Sequence, residues 1–172
     1  IPVARIELLD EMQIRACNAY SKLSYPEEPT LFVEFHGTED TVALYSQQFA
    51  AIAADFGCKA FHYTTNAEER AQLWKARHNA YWASRALAPE LAALSTDVCV
   101  PMSRLAECIL ATRAELDECP VPATIVGHVG DGNFHLIFSI DPDAPEEMAE
   151  VEALNKRMVA RALAMDGTCT GE

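Results

Sequence analysis

Polar and apolar residues alternate over Pro2 to Leu9, PVARIELL, a period of two that predicts a half-exposed strand. The next run, DEMQIRACNAYSKLS, changes period, with Met12, Cys17 and Tyr20 among its apolar positions at helical spacing. YPEEP is a loop. Thr30 to Phe35, TLFVEF, is rich in aromatic and β-branched residues and predicts a second strand. Thr38 or Asp40 can cap a helix over TVALYSQQFAAIAADFG, which Gly57 ends. CKAFHYT predicts a third strand. Asn66 opens a long helical stretch, NAEERAQLWKARHNAYWASRALA, with acidic residues in its first turn. Pro89 and the small-residue run PELAAL break it. STDVCVP predicts a fourth strand ending at Pro101, and Ser103 to Glu118 a helix. A fifth strand opens over Pro122 to Val126, GHVGDGN interrupts it, and Phe134 to Ile140, FHLIFSI, continues or pairs with it. DPDAP is a turn, Glu146 to Met165 an amphipathic helix, and DGTCTGE the end.

Strands and helices therefore alternate, with two adjacent strands around GHVGDGN. A doubly wound parallel sheet fits that order. So does an α+β fold, a mostly antiparallel sheet with helices packed on one face in a ferredoxin-like arrangement. Parallel strands covered on both faces read as continuous apolar runs. VARIELL alternates and TLFVEF carries Glu34, so the α+β arrangement is the expected one.

Half of the 172 residues are hydrophobic and 23% are charged, the mix of a globular domain. The length suits one domain, or two very small ones, and is enough to bury a core. A formal net charge of −13 argues against a nucleic-acid partner, which needs clustered Lys and Arg. The six cysteines, Cys17, Cys58, Cys99, Cys108, Cys119 and Cys169, form no CxxC pair. They read as small core residues of a reducing compartment, not a disulfide frame. No run is long and apolar enough to span a membrane, and no signal peptide is legible. The chain opens on Ile1 in a strand-like run and closes on GTCTGE. It is therefore expected to be a piece of a longer polypeptide, truncated at both ends.

The candidate chemistry lies in GHVGDGNFH, Gly127 to His135. GHVGDG is GxxGxG, not the GxGxxG of dinucleotide folds, and no helix start or GK[ST] follows it. A metal explains more, because imidazole is the commonest side-chain ligand for Zn and also suits Mn, Fe and Ni. His128 and His135 are seven apart, an odd spacing that would set them on opposite faces of one straight strand. Gly130 and Gly132 permit the positive φ of a tight turn, so the chain can fold back and aim both rings at one place. Asp131 or Asn133 could fix that turn or support a ligand. A metal site wants a third ligand, and Glu172 follows another small turn. A plain β-hairpin whose histidines pack or face water accounts for the same residues.

GHVGDGNFH, an amphipathic helix and then GTCTGE together resemble the C-terminal domain of the FAD-linked oxidases of the vanillyl-alcohol oxidase superfamily. Leu73, Trp74 and Arg77 fit that resemblance, and TDVCVPMSRL, Thr96 to Leu105, looks most like its D-lactate dehydrogenase branch. The likeness covers nearly the whole chain. It implies that residues 1–172 are a substrate or cap domain, and that FAD is bound mainly by an N-terminal domain outside them. It implies a divalent metal, Zn or Mn, held by residues matching His128, His135 and Glu172, with the two histidines as catalytic groups. Arg77 matches an arginine that pairs with the substrate carboxylate, and Asn133 is a second substrate contact. The implied reaction is oxidation of a small D-2-hydroxy acid, with metal-assisted hydride transfer to FAD. Electrons would pass on to an acceptor such as cytochrome c or a quinone. The implied location is cytoplasmic or peripheral to a respiratory membrane, mitochondrial in a eukaryote, and a homodimer is allowed for. The domain alone is expected to be inactive.

Three departures qualify this. The family's His after the final Glu is missing here. Members acting on a second carboxylate carry a Lys where Ser95 stands and an Asn where Ile137 stands. Both differences point toward D-lactate or another small or apolar-tailed acid. Two other classes stay open: a metal-dependent hydrolase built on His128, His135 and Glu172, and a non-catalytic ferredoxin-like interaction domain. Without the resemblance Arg77 reads as a surface arginine. Trp74, Tyr81 and Trp82 read as core at helical spacing, His78 as a helix-surface residue, and His36 and His62 as structural.

Overall fold

A computed structural model describes residues 1–170. Strand β1 is Arg5–Leu9, followed by helix α1, Glu11–Ser21, then β2, Thr30–Glu34, and α2, Glu39–Asp55. Helices α3, Ala67–His78, and α4, Ala80–Leu87, precede β3, Ala92–Ser95, and β4, Val98–Cys99. Then come α5, Met102–Glu118, β5, Ala123–Gly127, β6, Asn133–Ile140, α6, Pro145–Ala164, and β7, Thr168–Cys169. Strand order is β2-β1-β5-β6-β4-β7, with β3 also on β6. Every pairing between them is antiparallel. This is the α+β antiparallel architecture the alternating strands called for.

Local chemistry sets the helix ends. The Asp10 carboxylate accepts the Gln13 N–H at 2.8 Å and caps α1. Thr38, not Asp40, caps α2. The Asn66 amide oxygen caps α3 by accepting from Glu68 and Glu69. Gly57, at φ +85, turns the chain out of α2.

Strand alternation sorts the sheet's side chains between two cores. Phe134, Leu136, Phe138 and Ile140 of β6 meet α5 and α6 through Leu105, Cys108, Val151, Leu154 and Met158. Leu9, Val126 and Ile137 meet α1 and α4 through Ile14, Cys17, Ala80 and Ala83, with Trp74 of α3 packed alongside. A second, smaller helical layer thus lies on the opposite face from α5 and α6. Leu8 and Leu9, adjacent and both apolar, reflect those two covered faces. Cys17 and Cys108 are buried, Cys58 is exposed, and all six cysteines are free thiols. Burial pushes the Cys17 and Cys108 thiols up from their ordinary pKa.

Three local expectations need correction. CKAFHYT is not a strand. Among the described residues it pairs with no strand, and Phe61 lies against Phe49 of α2, ring centroids 6.3 Å apart. Strand propensity without a ladder does not make a strand. The long helix after Asn66 is two helices, separated where Asn79 leaves helical geometry at ψ 5°. That break leaves Tyr81 and Trp82 exposed instead of in the core, while Trp74 does pack inward. Finally, the ladder along β6 begins earlier than STDVCVP, at Ala92, and is interrupted after Ser95. His78, His36 and His62 are all exposed.

Candidate functional site

Three neighbouring segments, β1, the end of β5 and β6, bring polar side chains to the face covered by α1, α3 and α4. From β1 comes Glu7, which shares a face with Leu9. The β1–β5 register, Leu8 opposite Gly127, sets Glu7 across from His128. The β5–β6 register, Val126 opposite His135, makes His128 and His135 diagonal neighbours on that face. Their rings stand 5.9 Å apart, centroid to centroid, at 90°. The turn between them makes this possible. Val129–Asp131 forms one 3₁₀ turn, and Gly132 follows at φ +79. A Cβ there would collide with the Val100 carbonyl oxygen, so the position needs glycine on two grounds. The expected fold-back is present. Its fixing group differs, since Asp131 is exposed and the Asn133 side chain points away from the turn.

Glu7 is 4% exposed and ties two of the expected site residues together. Its Oε1 accepts from His128 Nδ1 at 2.9 Å. Its Oε2 takes Arg77 Nε at 3.0 Å and Nη2 at 2.9 Å. The α3 helix is docked for this: one turn before Arg77, Trp74 lies under the Arg5 guanidinium, 4.2 Å from its ring centre. Arg5 and Glu7 share a face of β1, so one helix turn matches two strand residues. Arg77 is thus no surface arginine; its side chain is 12% exposed. The bonds to Glu7 use Nε and Nη2, so among the described residues Nη1 is left for a second carboxylate.

His135 is held from the other side. In a regular antiparallel pair, Thr96 and Leu136 would exchange two backbone hydrogen bonds. Thr96 N does donate to Leu136 O at 3.0 Å, but Leu136 N donates to the Thr96 hydroxyl, at 3.1 Å. The Thr96 carbonyl is thereby released and accepts from His135 Nδ1 at 3.0 Å. This is the interruption between β3 and β4; the register is the same on both sides of it.

Asp97 follows, also buried. Its Oδ1 lies 3.3 Å from His135 Nδ1 and accepts from Asn133 Nδ2 at 2.5 Å. Burial pushes this carboxyl up, but hydrogen bonds from Thr170 and Asn133 and the nearby His135 ring hold it below the ordinary carboxylate range. Asn133 Nδ2 also donates to Val98 O at 3.1 Å. Both amide protons are engaged, so Asn133 can offer a substrate only its oxygen, an acceptor.

The structure therefore brings His128, His135, Arg77 and Asn133 to one face. Glu172 lies outside the described residues. Among the described residues no three His, Cys, Asp or Glu side chains are grouped to hold a metal. Sequence reasoning missed Glu7, Thr96 and Asp97. Glu7 had a signal: within VARIELL it shares its face with Leu9, not with solvent.

Known proteins resemble this chain along its whole length. A protein named "Probable D-lactate dehydrogenase, mitochondrial" from Danio rerio is 47% identical over all 172 residues, which make up 35% of that protein. "D-lactate dehydrogenase [cytochrome], mitochondrial" from Arabidopsis thaliana is 46% identical over the same residues, 30% of its length. "Glycolate oxidase subunit GlcD" of Bacillus subtilis is 28% identical over 171 residues, covering 98% of this chain and 36% of the subunit. The chain spans about a third of the length of the curated relatives it matches. Residues 1–172 match the family described as FAD linked oxidases, C-terminal domain, and the chain belongs to that family.

Proposed function

We propose that this chain is the substrate-binding part of a flavin-dependent dehydrogenase that oxidises a small D-2-hydroxy acid, D-lactate foremost, to the 2-oxo acid. The carrying observation is the Glu7 carboxylate, which locks Arg77 and His128 into one unit beside His135. Arg77 Nη1 receives the substrate carboxylate, since a guanidinium fork suits that group. The Asn133 amide oxygen accepts from the substrate hydroxyl. Ile137, two residues along β6 from His135, is buried in the smaller apolar core and offers a substrate tail no polar partner.

The two histidines fit a divalent ion. Each Nδ1 donates to an oxygen, Glu7 Oε1 for His128 and Thr96 O for His135. That tautomer puts the lone pair on Nε2, the form in which imidazole ligates a metal. His128, His135 and Glu172 would hold the ion, Zn or Mn, which supplies Lewis acidity at the substrate hydroxyl. FAD, bound mainly outside these residues, supplies the acceptor for the α-hydrogen.

Family members acting on a second carboxylate would need room and polarity for it. The two positions that differ here, Ser95 and Ile137, are direct cross-strand partners in the β3–β6 ladder. The two differences thus fall at one spot, two residues along β6 from His135 and on its face. That supports a small or apolar-tailed acid. Because the relatives' names include mitochondrial and cytochrome, we also propose a place at a respiratory membrane, with cytochrome c or a quinone as acceptor. Among the described residues no helix is long and apolar enough to cross a membrane.

The test is anaerobic mixing of the full-length protein with D-lactate while flavin absorbance is followed, with and without a chelator. Bleaching that the chelator abolishes is expected. A protein without flavin absorbance would end the dehydrogenase reading, and bleaching indifferent to the chelator would end the metal.

A further inference from the structure

Helix α3 carries Arg77 but has little apolar surface to hold it. Its first half, Ala67 to Gln72, is exposed, and among the described residues of the helix only Ala76 is fully buried. A short helix of this kind takes its stability from tertiary contacts, not from itself. Arg77 lies in the last turn, just before the Asn79 break. Ahead of it, Leu73 and Trp74 are half-buried against the smaller core.

Arg5 covers Trp74, its guanidinium carbon 4.2 Å from the ring centre. Strand β2 places Arg5 in turn. Glu34 is its direct cross-strand partner, with Oε2 3.5 Å from Arg5 Nη2. The other Glu34 oxygen lies 3.3 Å from His36 Nε2. Arg5 and Glu7 are two apart on one strand face, and Trp74 and Arg77 are three apart on one helix face. Arg5 with Trp74 and Glu7 with Arg77 are therefore two rungs between β1 and α3.

We propose that Arg5 is a positioning residue for substrate binding: stacked on Trp74, it fixes the turn of α3 from which Arg77 presents Nη1 to the substrate carboxylate. The inference rests on the reading of Arg77 as the carboxylate-binding group. One rung alone, the ion pair, would let the helix swing about it; a second rung sets the helix direction. Arg5 acts through the helix and not on the substrate, because Glu34 already answers its charge.

The experiment is anaerobic rapid mixing of the full-length protein with D-lactate over a range of concentrations, read as flavin absorbance. It gives an apparent Kd for the acid and a limiting rate of flavin reduction. Arg5→Gln is expected to raise Kd about 5-fold, the size of a half-exposed cation–π contact, with the limiting rate unchanged. Trp74→Leu should do the same, and Arg5→Lys, which keeps a cation for the ring, should recover most of the loss. In the Arg77→Gln background, Arg5→Gln should change nothing further. A loss of equal size in that background would mean that Arg5 meets the substrate directly, and would overturn the positioning role. So would a Kd unchanged by Arg5→Gln while Arg77→Gln weakens binding, even if the thermal midpoint falls, since Arg5 would then serve stability alone. A Kd unchanged by Arg77→Gln itself would overturn the carboxylate reading and the inference with it.

Discussion

Glu7 and His128 face each other across the β1–β5 pairing, with Oε1 and Nδ1 2.9 Å apart, while the other Glu7 oxygen holds Arg77. A strand acid is thereby the common support of a ring and a guanidinium that come from positions 121 and 70 residues away. Because Glu7 is buried and Arg77 nearly so, neither is screened by solvent as a surface pair would be.

Glu7→Gln should therefore harm both stability and binding. Removing one partner of a buried ion pair leaves the other uncompensated, which costs about 3 kcal/mol. The denaturant midpoint should fall at unchanged slope. In kinetics, KM for the hydroxy acid should rise more than kcat falls, since Arg77 loses its fixed pose. An unchanged KM would mean that Arg77 does not need Glu7 to meet substrate.

Thr96→Val tests the interrupted ladder. Without the hydroxyl, Leu136 N must turn to the Thr96-position carbonyl and so compete with His135 for it. Loss of the hydrogen bond should cost about 1 kcal/mol of stability. His135 should lose the single tautomer that the carbonyl imposes, visible in ring-nitrogen NMR shifts. Thr96→Ser keeps the hydroxyl and should restore both. A His135 spectrum unchanged in Thr96→Val would show that Asp97 alone sets the tautomer.

Much of this site was legible in the residues, and the illegible part has a physical cause. GHVGDGNFH showed its fold-back because glycine marks positions of positive φ, and Gly132 sits at φ +79. The FHLIFSI and TLFVEF strands showed through apolar, β-branched content. The interruption after Ser95 did not show, because nothing in STDVCVP announces a hydroxyl standing in for its own carbonyl. Asp97 was invisible for a similar reason: a single acid in a strand reads as solvent-facing until the ladder shows what lies across from it. CKAFHYT misled in the opposite sense, since its composition suits a strand but it pairs with no strand of the described sheet. The break at Asn79 has no proline or glycine to mark it.

Asp10 gives a pH dependence with a definite sign. Burial, the largest influence, raises its carboxyl from 3.8 to about 6, against bonds from the Gln13 and Ile125 backbone and the Arg113 charge. A raised acid pKa means the folded protein binds the proton more tightly than the unfolded one. Its contribution is fully present below the unfolded value near 4, and is lost as pH rises through about 6. Asn caps a helix as well as Asp and carries no charge. Asp10→Asn should therefore gain on the order of 2–3 kcal/mol over wild type at pH 7, at ~1.4 kcal/mol per pKa unit of a shift that already includes the Arg113 contact. At pH 4 the two should be nearly equal. Denaturant titrations at both pH values measure the difference. A gap that does not widen from pH 4 to pH 7 would put the buried charge elsewhere.

Substrate selection is the sharpest consequence of the β3–β6 register. Ser95 and Ile137 are partners across that ladder, and Ile137 is packed against the helices of the smaller core. A substrate with a second carboxylate would bring an unpaired charge against Ile137, where burial without a partner is costly. An apolar pocket rejects an added polar group by roughly 10²-fold, and a buried unpaired charge costs more than a hydroxyl. D-lactate should therefore exceed D-2-hydroxyglutarate in kcat/KM by at least about 10²-fold. Ser95→Lys supplies a cation beside the site without opening the core, and should narrow that ratio by lowering KM for the dicarboxylate. Ile137→Asn alone should destabilise the fold, because it buries an amide in an apolar cluster. Only the combination Ser95→Lys with Ile137→Asn offers the new carboxylate both charge and a hydrogen bond. If wild type already prefers D-2-hydroxyglutarate, the pair Ser95 and Ile137 is not the limit of the substrate pocket, and the tail of the acid leaves His135 in another direction.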